Sequence, residues 1–213
     1  MSAIADIRKE YRMQSLNEKD VAPNAIDQFT QWWKDAMDSA VPEANAMTLC
    51  TVTPDGRPDG RIVLLKGFDE NGFTFFTNYH SRKGNELRTI PFVTLVFFWK
   101  ELERQVRISG RVTQLADNEN DAYFHSRPRG SQLGAAASPQ STAIDSRAVL
   151  EEKLDSLTRQ YAEDVVIPRP AHWGGYNVAP DTIEFWQGRP NRLHDRLLYT
   201  RSNNEWHITR LAP

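Results

Sequence analysis

The chain has 213 residues, of which 39% are hydrophobic and 25% are charged, and its formal net charge is −2. This composition excludes a disordered chain, and the slightly acidic balance excludes a molecule-wide positive field for nucleic acid or an anionic membrane. The single cysteine, Cys50, excludes an intrachain disulfide, and no apolar run approaches the roughly 18 residues of a membrane span. Residues 1–12 are charged where a secretory signal would be apolar. We therefore expect one cytoplasmic domain over residues 1–213 with no bound metal.

The first predicted element is a helix that Asn24 caps and that ends near Ala40. The apolar residues that recur in it at roughly helical spacing are Ile26, Phe29, Trp33 and Met37. This pattern predicts that one face of the helix lies against a core.

Strand patterns bounded by turn residues dominate the rest of the chain. Strands are predicted at 47–53, 61–68, 73–77, 92–99, 104–114, 175–178, 182–187, 192–200 and 206–211. Further helices are predicted at 81–87, 117–125 and 146–162, and the last of these should lie on the surface. Short strands at this spacing, with a few helices beside them, favour a closed or partly closed antiparallel barrel. The predicted fold class is therefore α+β, mainly β.

Familiar nucleotide and hydrolase motifs are missing, and the five histidines lack metal-ligand spacing. Phosphate recognition would therefore need cations at strand ends and helix starts. One such segment is Arg61-Ile62-Val63-Leu64-Leu65-Lys66, in which two cations bracket an apolar strand. A second places Arg82 and Lys83 in the first turn of a helix, where positive charge opposes the helix dipole unless an anion is bound. Solvated strand and helix ends are the alternative.

A third segment follows a predicted helix that contains Tyr123. It is read as a loop with two guanidinium groups and hydroxyls, from Arg127, Arg129 and Ser131. A basic, solvated loop would explain it equally well.

The fourth segment runs from Glu184 to Arg196. Strand alternation predicts that Arg192, His194 and Arg196 share one face, with Asp195 on the other. Three cations on one face would require a counter-anion, unless this edge simply faces solvent.

Taken together, the segments resemble the pyridoxine 5'-phosphate oxidase family, from about Ile7 to Pro213. The most specific motifs are Arg61 to Lys66, Glu103-Arg104-Gln105-Val106, Ser126-Arg127-Pro128-Arg129, Trp173-Gly174-Gly175, and Glu184 through Arg196. The resemblance implies an FMN-binding split β-barrel with flanking helices, and a homodimer with FMN at the interface. It also implies that residues 1–23 are an N-terminal segment that acts as a mobile lid. Residues 168–213 would supply dimerisation and substrate-binding strands.

The resemblance assigns roles residue by residue. The implied FMN contacts are Arg61, Ile62, Val63, Leu64, Leu65, Lys66, Thr77, Arg82, Lys83, Gln105, Gln140, Ser141, Trp186 and Arg196, with Arg82 and Lys83 on the FMN phosphate. The implied substrate contacts are Arg8, Tyr11, Lys66, Tyr123, Arg127, Ser131, Arg192 and His194, and the last two are the implied catalytic residues. Phe76 stands where tyrosine is frequent in the family, and phenylalanine cannot donate a hydroxyl hydrogen bond.

The implied reaction is oxidation of pyridoxine or pyridoxamine 5'-phosphate to pyridoxal 5'-phosphate, in vitamin B6 biosynthesis and salvage. O2 would be the electron acceptor, giving H2O2, with ammonia released from the amine. Whether His194 removes a proton or only orients the substrate is open. Two alternatives remain, namely another split-barrel flavoprotein such as a flavin reductase, and a non-catalytic module that binds pyridoxal phosphate or flavin. Nucleic acid and membranes are not expected partners.

Overall fold

The computed structural model of the chain describes Ile4, residues 10–203 and residues 205–213. The helices are α1 (Ala25–Asp38), α2 (Arg82–Thr89), α3 (Asp117–Ser126), α4 (Arg129–Ala137) and α5 (Arg147–Gln160). The strands are β1 (Ala46–Val52), β2 (Pro58–Leu64), β3 (Gly67–Asp69), β4 (Gly72–Asn78), β5 (Phe92–Trp99), β6 (Arg104–Gln114), β7 (Trp173–Gln187), β8 (Asp195–Ser202) and β9 (Glu205–Leu211). The predicted mainly β architecture with flanking helices is confirmed.

The nine strands form one antiparallel sheet that curls around α1. Its hydrogen-bonded order is β2-β1-β5-β6-β7-β4-β3, with β8 added to β7 and β9 added to β8. Strand β7 has three neighbours, because β6 lies along one side while β4 and β8 share the other. The sheet therefore branches at β7, with β4 and β3 on one branch and β8 and β9 on the other.

The strand predicted at 61–68 is two strands, because the chain changes partners in its middle. β2 pairs with β1 as far as Leu64, and β3 pairs with β4 from Gly67. Between them, the Leu65 N–H donates to the carbonyl of Asn45 and the Lys66 N–H to that of Thr74, both at 2.8 Å. This corner buries Leu65 in the core and turns Lys66 outward.

The strands predicted at 175–178 and 182–187 are one strand, β7. Its register against β6 shifts between Ser109 and Gly110, which marks a bulge. Gly110 permits the close approach of the two backbones there, since a Cβ at this position would lie 2.0 Å from the carbonyl oxygen of Ala179. The bulge accommodates Pro180 without ending the strand.

Helix α1 begins as predicted, with the Asn24 side chain accepting a hydrogen bond from the Ile26 N–H at 2.7 Å. Its buried face differs from the predicted one, because Trp32 is buried while Met37 is 57% exposed. Phe29 is fully buried, and its ring meets four aromatic rings of the sheet and its corner, those of Phe68, Phe73, Phe97 and Trp99. The helix thus closes the open side of the curled sheet.

Helix α4 was not predicted, and the loop expected after Tyr123 is accordingly short. Gly130 and Gly134 have low helix propensity and hide the pattern. The helix is held by tertiary packing, since Leu133 belongs to a small core cluster with Phe124, Ile167 and Trp173. α5 has no buried residues and lies on the surface, as predicted.

Within the described ranges, no helix is both long enough and apolar enough to cross a membrane. The same residues contain no group of three or more His, Cys, Asp or Glu side chains that could hold a metal ion. Cys50 is a half-buried free thiol in β1.

We predict that Phe29→Ala lowers the free energy of unfolding by about 3–5 kcal/mol, because it removes a fully buried ring and leaves a cavity. Urea denaturation would measure this loss. The exposed Gln31 on the same helix supplies the control, and Gln31→Ala should change stability by less than about 0.5 kcal/mol. Equal effects of the two substitutions would contradict the packing described for α1.

Candidate functional site

A cavity of about 870 Å³ opens between β2, the end of β4, and helices α3 and α4. Many residues predicted to bind cofactor or substrate line it together, namely Arg61, Ile62, Val63, Leu64, Lys66, Thr77, Lys83, Tyr123, Arg127, Ser131 and Gln140. They come from parts of the chain more than 70 residues apart. We call this space the main cavity.

One wall of the main cavity is the edge strand β2. Among the described strands, β2 pairs only with β1, so the backbone N–H and C=O groups on its outer side can bind a ligand. The opposite wall is aromatic, with the ring of Phe76 stacked on Tyr123 at 3.9 Å and on Trp173 at 5.3 Å between centroids. A planar ligand with polar edges would suit these two walls.

Lys83 lies in the part of the cavity nearest the start of α2. Ser81 caps this helix by accepting from the Gly84 N–H at 3.3 Å. The Lys83 ammonium donates to Oε1 of Gln140 at 3.0 Å, and Thr77 donates to the same oxygen at 3.3 Å. Burial, with the nearby charge of Arg61, lowers the pKa of Lys83. Within the described part of the chain the ammonium forms no ion pair with a carboxylate, so an anion can bind to it.

Arg127 carries the clearest sign of a missing ligand. Among the residues that the structure describes, its Nη1 is the one buried side-chain nitrogen or oxygen without a hydrogen-bond partner. The guanidinium lies 4.5 Å from the ring centroid of Trp173, and burial lowers its pKa. Ser131, Tyr123 and Lys66 line the same cavity and offer further donors. This set can bind a phosphate group.

The second guanidinium of the predicted basic loop has a structural role. Arg129 donates to the carbonyl oxygens of Tyr161, Ala162 and Val165 at 2.8, 2.7 and 3.0 Å. It therefore ties the start of α4 to the chain after α5. Of the two arginines, only Arg127 is available to an anion.

A second group of predicted residues lies at the other end of β7. Gln105, Trp186 and Arg196 are direct neighbours across β6, β7 and β8 and so share one face of the sheet. The rings of Tyr11 and His194 pack near Trp186, with centroid distances of 5.8 and 4.6 Å. We call these five residues the distal cluster, and none of them lines the main cavity.

His194 has a defined hydrogen-bonding state. The backbone N–H of Arg189 donates to its Nδ1 at 3.0 Å, so in the neutral ring the proton is on Nε2. Burial, with the nearby charge of Arg192, lowers the pKa of His194, although Asp195 opposes the shift. At neutral pH the ring is therefore uncharged and presents an N–H donor.

The predicted alternation of Arg192, His194 and Arg196 on one strand face is wrong. β8 begins only at Asp195, because Pro190–Arg192 form a 3-10 turn with positive φ angles at Asn191 and Arg192. Arg192 is exposed in this turn. Proline fixes φ and lacks an N–H, and asparagine tolerates the left-handed region, so this sequence favours the turn.

The counter-anion that these cations were expected to require is, for Arg196, a carboxylate of the protein itself. The Nε and Nη2 atoms of Arg196 donate to Glu184 on the neighbouring strand at 2.9 and 3.1 Å. Glu184 was part of the same motif, but a local pattern does not reveal which residues face each other across two strands.

Four further predicted residues lie outside both groups. Leu65 points into the core, and Ser141 follows Gln140 without lining the main cavity. Arg82 lies beside the cavity with its Nε on Asp59 and Glu86. Arg8 is outside the described residues.

Sequence reasoning missed the carboxylates next to the cations and the aromatic wall. Glu86 is four residues after Arg82 on a predicted helix, and Asp59 is two residues before Arg61 on a strand, so helical and strand spacing could have revealed both. Phe76 was omitted because it lacks a hydroxyl, yet its ring lines the cavity.

Comparison with known proteins now identifies the family. A sequence model of pyridoxamine 5'-phosphate oxidase matches residues 33–161, and one of the pyridoxine 5'-phosphate oxidase C-terminal dimerisation region matches residues 173–213. The chain belongs to the pyridoxamine 5'-phosphate oxidase family. Membership confirms the resemblance seen in the motifs and makes the chain an enzyme of the oxidoreductase class.

Relatives in this oxidase family match over essentially their whole length. A pyridoxine/pyridoxamine 5'-phosphate oxidase of Paraburkholderia phymatum is 58% identical over 214 residues and covers 100% of both chains. One of Cyanothece is 56% identical and covers 99% of both chains.

Two solved structures of related proteins share the fold. PhzG from Burkholderia lata, in complex with tetrahydrophenazine-1-carboxylic acid, has a TM-score of 0.89 and 31% identity, covering 96% of this chain and 100% of that one. A pyridoxamine 5'-phosphate oxidase-related, FMN binding protein from Nostoc punctiforme has a TM-score of 0.71 and 19% identity, covering 91% and 100%. The second likeness concerns the fold alone, the split barrel of this oxidase family.

The different surroundings of the two loop arginines lead to a stability prediction. Arg127→Met keeps an apolar stem against Trp173 and removes an unpaired buried nitrogen, so the ligand-free variant should unfold with a free energy equal to or above that of the parent. Arg129→Met loses three hydrogen bonds to carbonyls and should be less stable by about 1–3 kcal/mol. Urea denaturation of both ligand-free variants measures the difference. A loss at Arg127 as large as that at Arg129 would refute the assignment of Arg127 to ligand binding.

Proposed function

We propose that the chain is an FMN-dependent oxidase that converts pyridoxine or pyridoxamine 5'-phosphate to pyridoxal 5'-phosphate, with O2 as electron acceptor and H2O2 as product. Relatives at 55–58% identity carry the oxidase name. The observation that carries the proposal is the unpaired, buried Nη1 of Arg127 in a cavity that also presents Lys66, Tyr123 and Ser131. Two charges and two hydroxyls suit a phosphate monoester, which is close to a dianion at neutral pH.

The main cavity also fits FMN. Lys83, with its lowered pKa, supplies positive charge for the FMN phosphate, and Arg82 next to it supplies guanidinium donors. The free backbone edge of β2 from Arg61 to Leu64 supplies donors and acceptors for the polar edge of a flavin ring. Thr77 and Gln140 add side-chain hydrogen bonds beside Lys83. These residues would hold FMN.

A complete site requires a second chain in this proposal. Trp173, on the cavity wall, is the first residue of the 15-residue strand β7, and Trp186 is the last but one. At about 3.3 Å per residue, roughly 40 Å of strand separates them. Phe98 is 54% exposed and pairs with Gln105 of the distal cluster, so an exposed aromatic side chain lies beside the cluster where a second protomer could cover it. We infer a homodimer in which the distal cluster of one protomer completes the main cavity of the other.

In the proposed reaction the cofactor and the protein have different roles. FMN, when bound, accepts two electrons from the substrate and passes them to O2. Lys66, Tyr123, Arg127 and Ser131 hold the substrate phosphate, which fixes the position of the ring. His194 donates an N–H hydrogen bond from Nε2, and Arg192 adds a positive charge near it. Tyr11, whose ring packs near those of Trp186 and His194, would limit water access to the site.

A phenazine-type substrate is less well supported. The ligand in the PhzG structure is named as a carboxylic acid, and a carboxylate has one negative charge where this cavity offers Lys66 and Arg127 together. The identity to that protein is 31%, against 55–58% for relatives named as oxidases. The phosphorylated substrate therefore remains the proposal.

Anaerobic mixing tests the function directly. FMN-loaded protein is mixed with pyridoxamine 5'-phosphate, flavin absorbance is followed, and oxygen is then admitted. Bleaching followed by recovery of the oxidised spectrum is expected. A flavin that stays oxidised would favour a binding module, and bleaching by a reduced nicotinamide nucleotide without the phosphorylated amine would favour a flavin reductase.

FMN affinity should depend on the charge of Lys83. The free site holds Lys83 at a pKa below the ordinary value of 10.5, whereas a bound phosphate dianion favours the ammonium form. Affinity should therefore fall as pH rises through this lowered pKa, and Lys83→Met should bind FMN weakly without that fall. Fluorescence titrations across pH measure the effect, with riboflavin as the control for titration of the flavin ring. A pH-independent affinity in the parent would contradict it.

The tautomer of His194 predicts its role. His194→Gln can place an amide N–H near the position of Nε2 and should keep most of the rate of flavin reduction, whereas His194→Leu should lose about tenfold through one missing hydrogen bond. Single-turnover stopped-flow absorbance measures both variants. If His194 were an obligatory base, both should lose about 100-fold or more, with an altered pH profile.

A further inference from the structure

Two carboxylates lie next to Arg61 and Arg82, two of the arginines expected to contact FMN. Asp59 is on β2, two residues before Arg61, and Glu86 is on α2, four residues after Arg82. The Glu86 side chain is only 3% exposed and that of Asp59 24% exposed. Negative charges at an anion site repel the ligand, so their presence needs a physical reason.

The contacts explain why the two carboxylates are present, because both bridge the same two arginines. Asp59 Oδ2 lies 2.7 Å from Nη2 of Arg61 and 2.9 Å from Nε of Arg82. Glu86 Oε2 lies 3.1 Å from the same Nη2, and its Oε1 lies 3.1 Å from the same Nε. The four side chains form a closed ring of alternating charge. We call it the four-ion ring.

The ring is anchored to the sheet as well. Thr51 on β1 donates its hydroxyl to Glu86 Oε2 at 2.5 Å, and Arg61 donates from Nη1 to the Thr51 hydroxyl. The burial of Glu86 is thus matched by three donors. A helix and two strands are linked through one carboxylate.

The four-ion ring gives Lys83 and the two arginines different roles at the proposed phosphate site. Arg61 and Arg82 are neutralised by the ring, while among the described residues the Lys83 ammonium hydrogen-bonds to Gln140 and the Ser81 hydroxyl and to no carboxylate. Lys83 can therefore provide net attraction, and the two guanidiniums can provide donors held in fixed directions. Without the carboxylates, Arg61 and Arg82 would repel each other and lose their orientation. Side chains fixed before binding lose less entropy when the ligand arrives.

We propose that Glu86, assisted by Asp59, is a positioning residue for the FMN phosphate: it holds Arg61 and Arg82 in the arrangement that receives the phosphate. The inference rests on the proposed FMN dependence of the enzyme. It assigns a function to a buried acid that contacts the cations instead of the ligand.

The direction in which Glu86→Gln changes FMN affinity distinguishes a positioning role from a purely electrostatic one. If Glu86 acted only through its charge, Glu86→Gln would strengthen FMN binding by removing repulsion. The positioning role predicts the opposite, a loss of about tenfold or more in FMN affinity, because charge-assisted bonds to both arginines are lost. Riboflavin has no phosphate, so its affinity should change by less than about twofold.

The experiment titrates parent and variant proteins with FMN and with riboflavin and follows flavin fluorescence. Glu70→Gln is the matched control, because it makes the same chemical change at an exposed turn residue, and it should leave both affinities unchanged. A weaker FMN affinity with unchanged riboflavin affinity supports the proposal. Unchanged or tighter FMN binding by Glu86→Gln overturns it, as does an equal loss for both flavins.

Asp59→Asn decides the matter if Glu86→Gln does not fold, since Asp59 is less buried. A selective loss of FMN affinity in Asp59→Asn supports the four-ion ring as a positioning device, and an unchanged affinity overturns it. Failure of the parent protein to bind FMN would instead reject the proposed function, so the two failures are distinguishable.

Discussion

The hydrogen bonds along both sides of β7 fix the positions of both groups of candidate site residues. β6 pairs with the strand over most of its length, while β4 holds its first half and β8 its second. The first half places Trp173 on the wall of the main cavity, and the second half places Trp186 in the distal cluster. A single rigid strand thus separates residues that the proposed chemistry needs together. The proposed homodimer would bring the two groups together.

The charges in and beside the main cavity affect both the stability of the free protein and its affinity for an anionic ligand. Arg61 and Arg82 are balanced by Asp59 and Glu86, while burial lowers the pKa values of Lys83 and Arg127. Burying a cation without a carboxylate is costly for the free protein. In the proposed function a phosphate ester would offset that cost, and relief of these already buried charges would contribute part of the binding energy.

The positions of most strands along the chain and the identity of the main cation-bearing segments could be predicted from the sequence. Turn residues and apolar alternation are local signals, and the Asn24 cap of α1 is one of the clearest. The corner at Leu65 could not be predicted, because it depends on hydrogen bonds to Asn45 and Thr74, which are distant in sequence. α4 was missed because tertiary packing overrides the low helix propensity of its glycines.

For the site residues, too, some features follow from local sequence motifs, and others depend on contacts with segments distant in sequence. Motif matching assigned Lys83 to the FMN phosphate and Arg127 to the substrate. In the structure both residues line the main cavity. The roles of Arg129 and Arg196 depend on carbonyls and a carboxylate supplied by other segments. Strand alternation failed at Arg192, since the turn at Pro190 ends the pattern. Residue type alone does not show which cations are already neutralised.

If each site draws on two chains, as proposed, a purified heterodimer of two differently substituted chains should recover activity that neither homodimer has. One chain, with one affinity tag, carries Arg127→Met, and the other, with a second tag, carries Arg196→Met. Each homodimer would have both sites damaged, whereas the heterodimer would have one site intact and one doubly damaged, by two-fold symmetry. The account predicts flavin reduction by pyridoxamine 5'-phosphate at about half of the sites in the heterodimer. A heterodimer no more active than the mean of the two homodimers would contradict it.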